Sequence, residues 1–174
     1  MNEIEIKILE IDVEETIDKL TSLGAEKIFD GEVCAFFYDT LDRRLASQNR
    51  ILRLRVLGDK VELVLKEKLE SDDDVKARLE TELYVSDLET AKTLLGKLGY
   101  SLVGLSTKHR ISYKLPDVKF EIDQLAGIPA YLEIEANNPN MLRKYVLMLG
   151  FTMRQTRPWS TEDVLKYYSK PQKQ

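Results

Sequence analysis

Charged side chains recur two residues apart along this chain, and their types are those that handle phosphate and metal. Glu3 and Glu5 flank Ile4, with Lys7 two positions further on. Arg53 and Arg55 alternate with Leu52, Leu54 and Val56, and Lys66 and Lys68 follow Glu62-Leu63-Val64-Leu65. Arg78, Glu80 and Glu82 alternate with Leu79 and Leu83, and Lys108 and Arg110 precede Ile111. Glu121 and Asp123 flank Ile122; Glu133 and Glu135 flank Ile134. Successive side chains of a strand point to opposite faces, so each such pair shares one face. Carboxylates without His or Cys are a hard oxygen set that suits Mg²⁺ or Mn²⁺. Lys and Arg bring point charges and forked donors for phosphate oxygens. Together they are the parts of phosphoryl or nucleotidyl transfer: neutralisation, positioning and metal activation. If these faces converge, they enclose a cavity for metal ions and a polyphosphate. The plainer reading is a solvated sheet surface with weak cross-strand ion pairs. Separation into acidic and basic strands, repeated along the chain, argues against it.

Composition narrows the classes. A length of 174 residues fits one domain with a substantial core, expected over residues 1–170 with 171–174 as a disordered tail. Hydrophobic residues make up 43% and charged ones 32%, the balance of a folded, charge-rich protein. The net charge of -4 and a pI near 5.2 argue against nucleic-acid binding, which usually shows as a basic excess. Cys34 alone permits no internal disulfide or cysteine-rich zinc site, and His109 is the sole histidine. There is no Gly-x-Ser-x-Gly elbow. No apolar run reaches the ~18–20 residues of a membrane span, and the N-terminus opens into an acidic strand rather than a signal peptide. These features predict a cytoplasmic protein with no membrane or nucleic-acid partner.

The elements that must position the charges can be read in order. Glu3 to Lys7 is a strand, and Asp12 to Leu23 a helix with Asp12 as N-cap, Glu15 at N3 and Gly24 past its end. Ala25 to Thr40 is strand-like, and Leu41 to Asn49 a loop or short helical turn. Ile51–Val56 and Val61–Lys68 form a hairpin about Gly58-Asp59. Glu70 to Asp74 is an acidic connector or a flap. Lys76–Val85 is a strand, and Ser86 caps a helix to Leu98. Tyr100–Leu105, Thr107–Leu115, Val118–Leu125 and Ala130–Ala136 are further strands. Asn138-Pro139 opens a helix to Leu149, Phe151 begins a short extended piece, and Ser160 caps a last helix to Tyr168. Leu23-Gly24, Leu98-Gly99 and Leu149-Gly150 each end a helix before a strand, which reads as a weak duplication of a strand–helix–strand unit. The fold class is α+β: about eight antiparallel strands closed into a barrel, helices outside, aliphatic alternates toward the helices and charges inward.

Glu3-Ile4-Glu5-Ile6-Lys7 resembles the Glu-x-Glu-x-Lys signature of the CYTH superfamily, the triphosphate tunnel metalloenzymes. The resemblance continues in order through Tyr38-Asp39-Thr40, Leu52-Arg53-Leu54-Arg55, Lys66, Glu80, Lys108-His109-Arg110, Asp123, Leu132-Glu133-Ile134-Glu135 and Pro158-Trp159-Ser160 with Val164-Leu165. It implies an eight-stranded tunnel in which Lys7, Arg53, Arg55, Lys66, Lys108 and Arg110 bind phosphate oxygens. It also implies that Glu3, Glu5, Glu133 and Glu135 hold the divalent metal, with Asp123 and Glu80 adding ligands or supporting contacts. Glu3, Glu5 and Lys66 are the residues it assigns to catalysis. His109, between Lys108 and Arg110, points away from the tunnel by alternation. Three departures stand out. Phe37 occupies the place of the tyrosine that assists a lysine in the thiamine triphosphatase branch. No His-Phe element like that of bacterial class IV cyclases precedes Glu3. Trp159 replaces a basic residue, for which Arg157 or Arg154 is a substitute.

The expected function is metal-dependent hydrolysis of a triphosphate, with Mg²⁺ or Mn²⁺ as cofactor. A class IV adenylyl cyclase, in which the ATP 3′-hydroxyl attacks the α-phosphorus and expels pyrophosphate, is the alternative. A non-catalytic binder of polyphosphate or nucleotide is a third reading, and a structural domain with solvated charges a fourth. The substrate would be ATP, inorganic triphosphate or thiamine triphosphate; a homodimer is allowed but not specified.

Overall fold

The computed structural model describes residues 2–69 and 76–170. The Glu70–Asp74 connector and the 171–174 tail lie outside the described residues, as does the side chain of Glu3. Strands run β1 (Asn2–Leu9), β2 (Glu26–Asp39), β3 (Arg50–Leu57), β4 (Lys60–Lys68), β5 (Lys76–Val85), β6 (Ser101–Leu115), β7 (Val118–Gln124), β8 (Tyr131–Ala136) and β9 (Thr156–Arg157). Helices are α1 (Val13–Ser22), α2 (Arg44–Ser47), α3 (Leu88–Lys97), α4 (Pro139–Met148) and α5 (Thr161–Ser169). The hydrogen-bonded order is β5-β4-β3-β2-β6-β7-β8-β1-β9, and a further β5–β1 pairing closes β1–β8 into the expected eight-stranded barrel. The short β9 is an addition, laid antiparallel on β1.

The chain divides into two compact units. One comprises Met1–Asn2, Gly31–Glu70 and Arg78–His109; the other comprises Glu3–Asp30, Ser71–Ala77 and Arg110–Gln174. In the first, Leu52 and Leu54 of β3 join Phe36, Tyr38, Val61, Leu63, Leu65, Ala91 and Leu95 in a core that seats α3. In the second, Ile6, Ile8, Phe120, Ile122, Leu132 and Ile134 pack with Leu20 of α1 and Leu142, Val146 and Leu149 of α4. The aliphatic alternates therefore face helices, as the period-two pattern requires. Strand β5 departs from this beyond Glu80, because Leu83 and Tyr84 are exposed.

Local chemistry explains the helix ends. Asp12 accepts from the Glu15 amide and Asn138 from the Met141 amide, satisfying donors that a first turn leaves open. The three Leu-Gly ends share one geometry. Gly24, Gly99 and Gly150 take φ of 77°, 89° and 83°, and the amides of Ala25, Tyr100 and Phe151 bond back to Leu20, Leu95 and Val146. That is the Schellman closure, which needs a left-handed residue most cheaply supplied by glycine.

Three expectations are corrected. The cap of α3 is Asp87, not Ser86: Asp87 Oδ1 accepts from the Thr90 amide at 2.7 Å, the relation a cap needs three residues into the turn. Tyr100–Leu105 and Thr107–Leu115 are one strand, because Ser106 continues the extended backbone without a break. The piece after Phe151 begins as a 3₁₀ turn, Met153–Gln155, closed by reciprocal Thr152 and Gln155 bonds, before β9.

Candidate active site

On each strand the residues alternating with the core carry the charge, and in the second unit that charge is buried. Glu5, Lys7, Arg110, Glu121, Asp123 and Glu133 are all 7% exposed or less. Antiparallel register sets their neighbours: Lys7 stands opposite Glu133, Glu5 opposite Glu135, Glu121 opposite Glu133, and Lys119 opposite Glu135. Lys7 Nζ lies 2.6 Å from Glu133 and 3.3 Å from Glu5. Burial by itself would lower its pKa, but the Glu133 and Glu5 carboxylates outweigh that and hold it above the ordinary lysine range. The Arg110 guanidinium donates to both oxygens of Asp123, at 2.6 and 2.7 Å, and is paired with Glu121 as well. Burial again opposes the charge, and Glu121 and Asp123 overcome it, so Arg110 stays ionised. Lys119 reaches Glu121 at 2.5 Å. Tyr131, fully buried on the same face, lies opposite Asp123 with Lys7 5.9 Å from its ring centre. Burial and the Asp123 and Glu133 charges push its phenol well above the usual range.

The first unit holds a more open set. Arg53, Arg55, Lys66 and Lys108 are half-buried. Arg55 meets Glu62 at 2.5 Å, opposite it across the β3–β4 hairpin, and Lys66 pairs with Glu80 of β5. Glu82 and Lys68 are exposed, as is His109, which alternation had turned away from the charged face. Phe37, which has no hydroxyl to offer, lies beside Gly104, where an added Cβ would come within 3.6 Å of its ring. Asp39 serves the backbone: it accepts from the amides of Thr40, Leu45 and Ala46 at 2.7–3.0 Å, fixing α2.

The sequence paired Glu121 with Asp123 on one face but gave Glu121 no role, and it left out Glu62, Lys119 and Tyr131. Lys119 was within reach, since it shares the period-two face of Asp123. A divalent cation fits the donor chemistry of Glu5, Glu133 and Glu135, all carboxylates on facing strands. Among the described residues, no three acidic, His or Cys side chains are drawn together as a finished cage, and Lys7 provides the positive charge between Glu5 and Glu133.

The sequence matches the CYTH domain over residues 1–168. The chain belongs to the CYTH family. A relative from Methanocaldococcus jannaschii, "Putative adenylate cyclase MJ0240", is 28% identical over 138 residues, covering 78% of this chain and 77% of that one. A solved structure from Vibrio parahaemolyticus, described as "a putative adenylate cyclase", superposes with a TM-score of 0.80 at 19% identity, over 94% of this chain and 97% of that one. The Hippeastrum protein "Putative adenylyl cyclase HpAC1", described as revealing a dominant triphosphatase activity, gives 0.65 at 16% identity over 95% of both chains. These two likenesses show that the fold is shared. No helix among the described residues is long and apolar enough to cross a membrane.

Proposed function

We propose that this CYTH protein is a divalent-metal-dependent enzyme acting on a triphosphate compound, with hydrolysis as its reaction. The observation that carries the reading is burial of charge. Buried ion pairs commonly stabilise a fold less than apolar residues of similar volume would. A sheet face holding Lys7, Arg110, Glu5, Glu121, Asp123 and Glu133 at 7% exposure or less is therefore a costly way to build a scaffold. Function is the natural reason to keep it. Arg53, Arg55, Lys66 and Lys108 are the proposed phosphate-binding cations, all half-buried, and Arg55 and Lys66 can exchange Glu62 and Glu80 for a phosphate oxygen. Glu5, Glu133 and Glu135, with Glu3, would hold Mg²⁺ or Mn²⁺, which supplies charge neutralisation at the phosphoryl group. Asp123 gives both oxygens to Arg110, so its part is to hold that guanidinium against Glu121 and Glu133. Lys7 keeps Glu5 and Glu133 together by charge.

Adenylyl cyclisation is the second reading, favoured by the name of the M. jannaschii relative. Incubation with tripolyphosphate, ATP and thiamine triphosphate under Mg²⁺ or Mn²⁺, followed by product separation, decides between them. Orthophosphate release supports hydrolysis, and cyclic AMP with pyrophosphate supports the cyclase. Tight binding without turnover in any arm would overturn both.

A further inference from the structure

Across β1, β8 and β7 of the second unit the charges stand in two rows. Lys7, Glu133 and Glu121 make one, and Glu5, Glu135 and Lys119 the other. Residues directly paired across antiparallel strands share a face, and like charges placed so oppose the sheet. Each row therefore sets two carboxylates side by side, with a lysine at one end to offset them. The two lysines differ. The Lys7 side chain is 1% exposed and held between Glu5 and Glu133. That of Lys119 is 31% exposed and meets Glu121 at 2.5 Å. Burial opposes its charge, and Glu121 and Glu135 outweigh that, so it is counter-ion to both. Arg110, at 3%, is fixed by Asp123 and Glu121. Of these three cations, Lys119 alone stands at the edge of water, on a flexible four-carbon stem.

We propose that Lys119 is a tethered counter-cation that a divalent ion displaces from Glu135 and Glu121, and so the residue that sets this face's preference for divalent over monovalent cations. The inference rests on the metal reading above. A cation entering beside Glu5 and Glu135 meets an ammonium already in that row. Lys7 and Arg110 cannot yield, since their departure would strand buried carboxylates. Lys119 regains water as it leaves, so its own desolvation penalty is relieved. A monovalent ion brings no more charge than the ammonium it replaces, and it competes with a group that the chain holds at high effective concentration. A divalent ion gains about twice the Coulomb attraction at the same distance, and that excess drives the exchange. Before any ion arrives, Lys119 compensates Glu135, so the sheet does not depend on the metal to form.

The whole protein is titrated calorimetrically with Mn²⁺ alone at fixed ionic strength, beside Lys119→Met and Lys27→Met. Lys27 is an exposed cation of β2, paired with Asp30, and serves as a control for net charge. Lys119→Met should tighten Mn²⁺ binding about tenfold, and Lys27→Met should leave it unchanged. Acylation by an amine-reactive ester, read by peptide mass spectrometry, follows the displacement itself. Mn²⁺ should raise labelling of Lys119 several-fold over Na⁺ at matched ionic strength, while Lys7 stays unlabelled throughout. An Mn²⁺ affinity unmoved by Lys119→Met, equal gains in the two variants, or Mn²⁺ binding that leaves Lys119 labelling unchanged overturns the displacement alone. Failure of Mn²⁺ to bind either the unaltered protein or Lys119→Met removes the metal reading and this inference with it.

Discussion

The two charged faces solve different problems with the same residue types. In the second unit, acids outnumber bases and are locked: Arg110 holds Asp123 through two hydrogen bonds and Glu121 through a third contact, and its side chain is 3% exposed. In the first, bases dominate and remain partly wet, with Arg55 and Lys66 at 13% side-chain exposure. A charge cut off from water cannot give up its partner without a large desolvation penalty, whereas one at the edge of water can. The second unit therefore reads as preorganised and the first as exchangeable. A polyanion would be taken up where exchange is cheap, and a cation where carboxylates are already fixed.

The comparison predicts unequal costs for losing one cation. Arg110→Leu strands Glu121 and Asp123 in the interior and should destabilise the protein by about 3–5 kcal/mol, a drop in Tm on the order of 10 °C. Lys66→Leu should cost clearly less. Equal losses in urea unfolding would erase the distinction between locked and exchangeable charge. Next in size is the response to ligand. Tripolyphosphate at a hundredfold excess over Kd should stabilise by about 2.7 kcal/mol, raising Tm by roughly 5–10 °C, and sulfate at matched ionic strength by less. Lys66→Ala with Arg55→Ala should abolish most of that difference; identical shifts from the two anions would point to screening. In equilibrium binding, Arg53→Ala should weaken tripolyphosphate by about 1.5–3 kcal/mol, the value of one charge-assisted contact, with an unchanged fold. An unaltered Kd would place Arg53 outside the phosphate site.

The smallest effect concerns Asp39, a buried acid of the first unit. Burial raises its pKa, but the amides of Leu45, Ala46 and Thr40 outweigh that and leave it below the ordinary value of 3.8. A depressed folded pKa contributes stability that is present above 3.8 and lost as pH falls through the folded value. The stability gap between the unaltered protein and Asp39→Asn should therefore narrow in acid below that value. A constant gap down to pH 2 would show that the carboxylate charge is not what fixes α2.

Much of the site was local and so legible. A period of two placed Glu5 with Lys7 and Glu133 with Glu135 on shared faces, because strand geometry admits no other arrangement. Gly58-Asp59 is a two-residue turn, with φ of 54° at Gly58, and that turn alone dictates that Arg55 meets Glu62. Pro116-Asp117 does the same for Arg110 and Asp123, since β6 ends at Leu115 and β7 begins at Val118. The Leu-Gly helix ends and the caps at Asp12, Asn138 and Ser160 were equally local. Ser86 and Asp87 are both good caps by type, and only the approach of the Thr90 amide chose between them.

The sequence by itself thus determined the elements, their faces and the charge types those faces carry, since all three follow from backbone periodicity and neighbours a few residues away. Tertiary structure decided which faces meet. Lys7 faces Glu133 because β1 pairs with β8 across most of the chain, and Arg157 faces Lys7 because β9 returns to β1 after α4. No local rule encodes those registers. They are set by the burial of Ile6 and Ile8 with Leu132 and Ile134, and a slip of one residue would turn every one of those side chains to the opposite face.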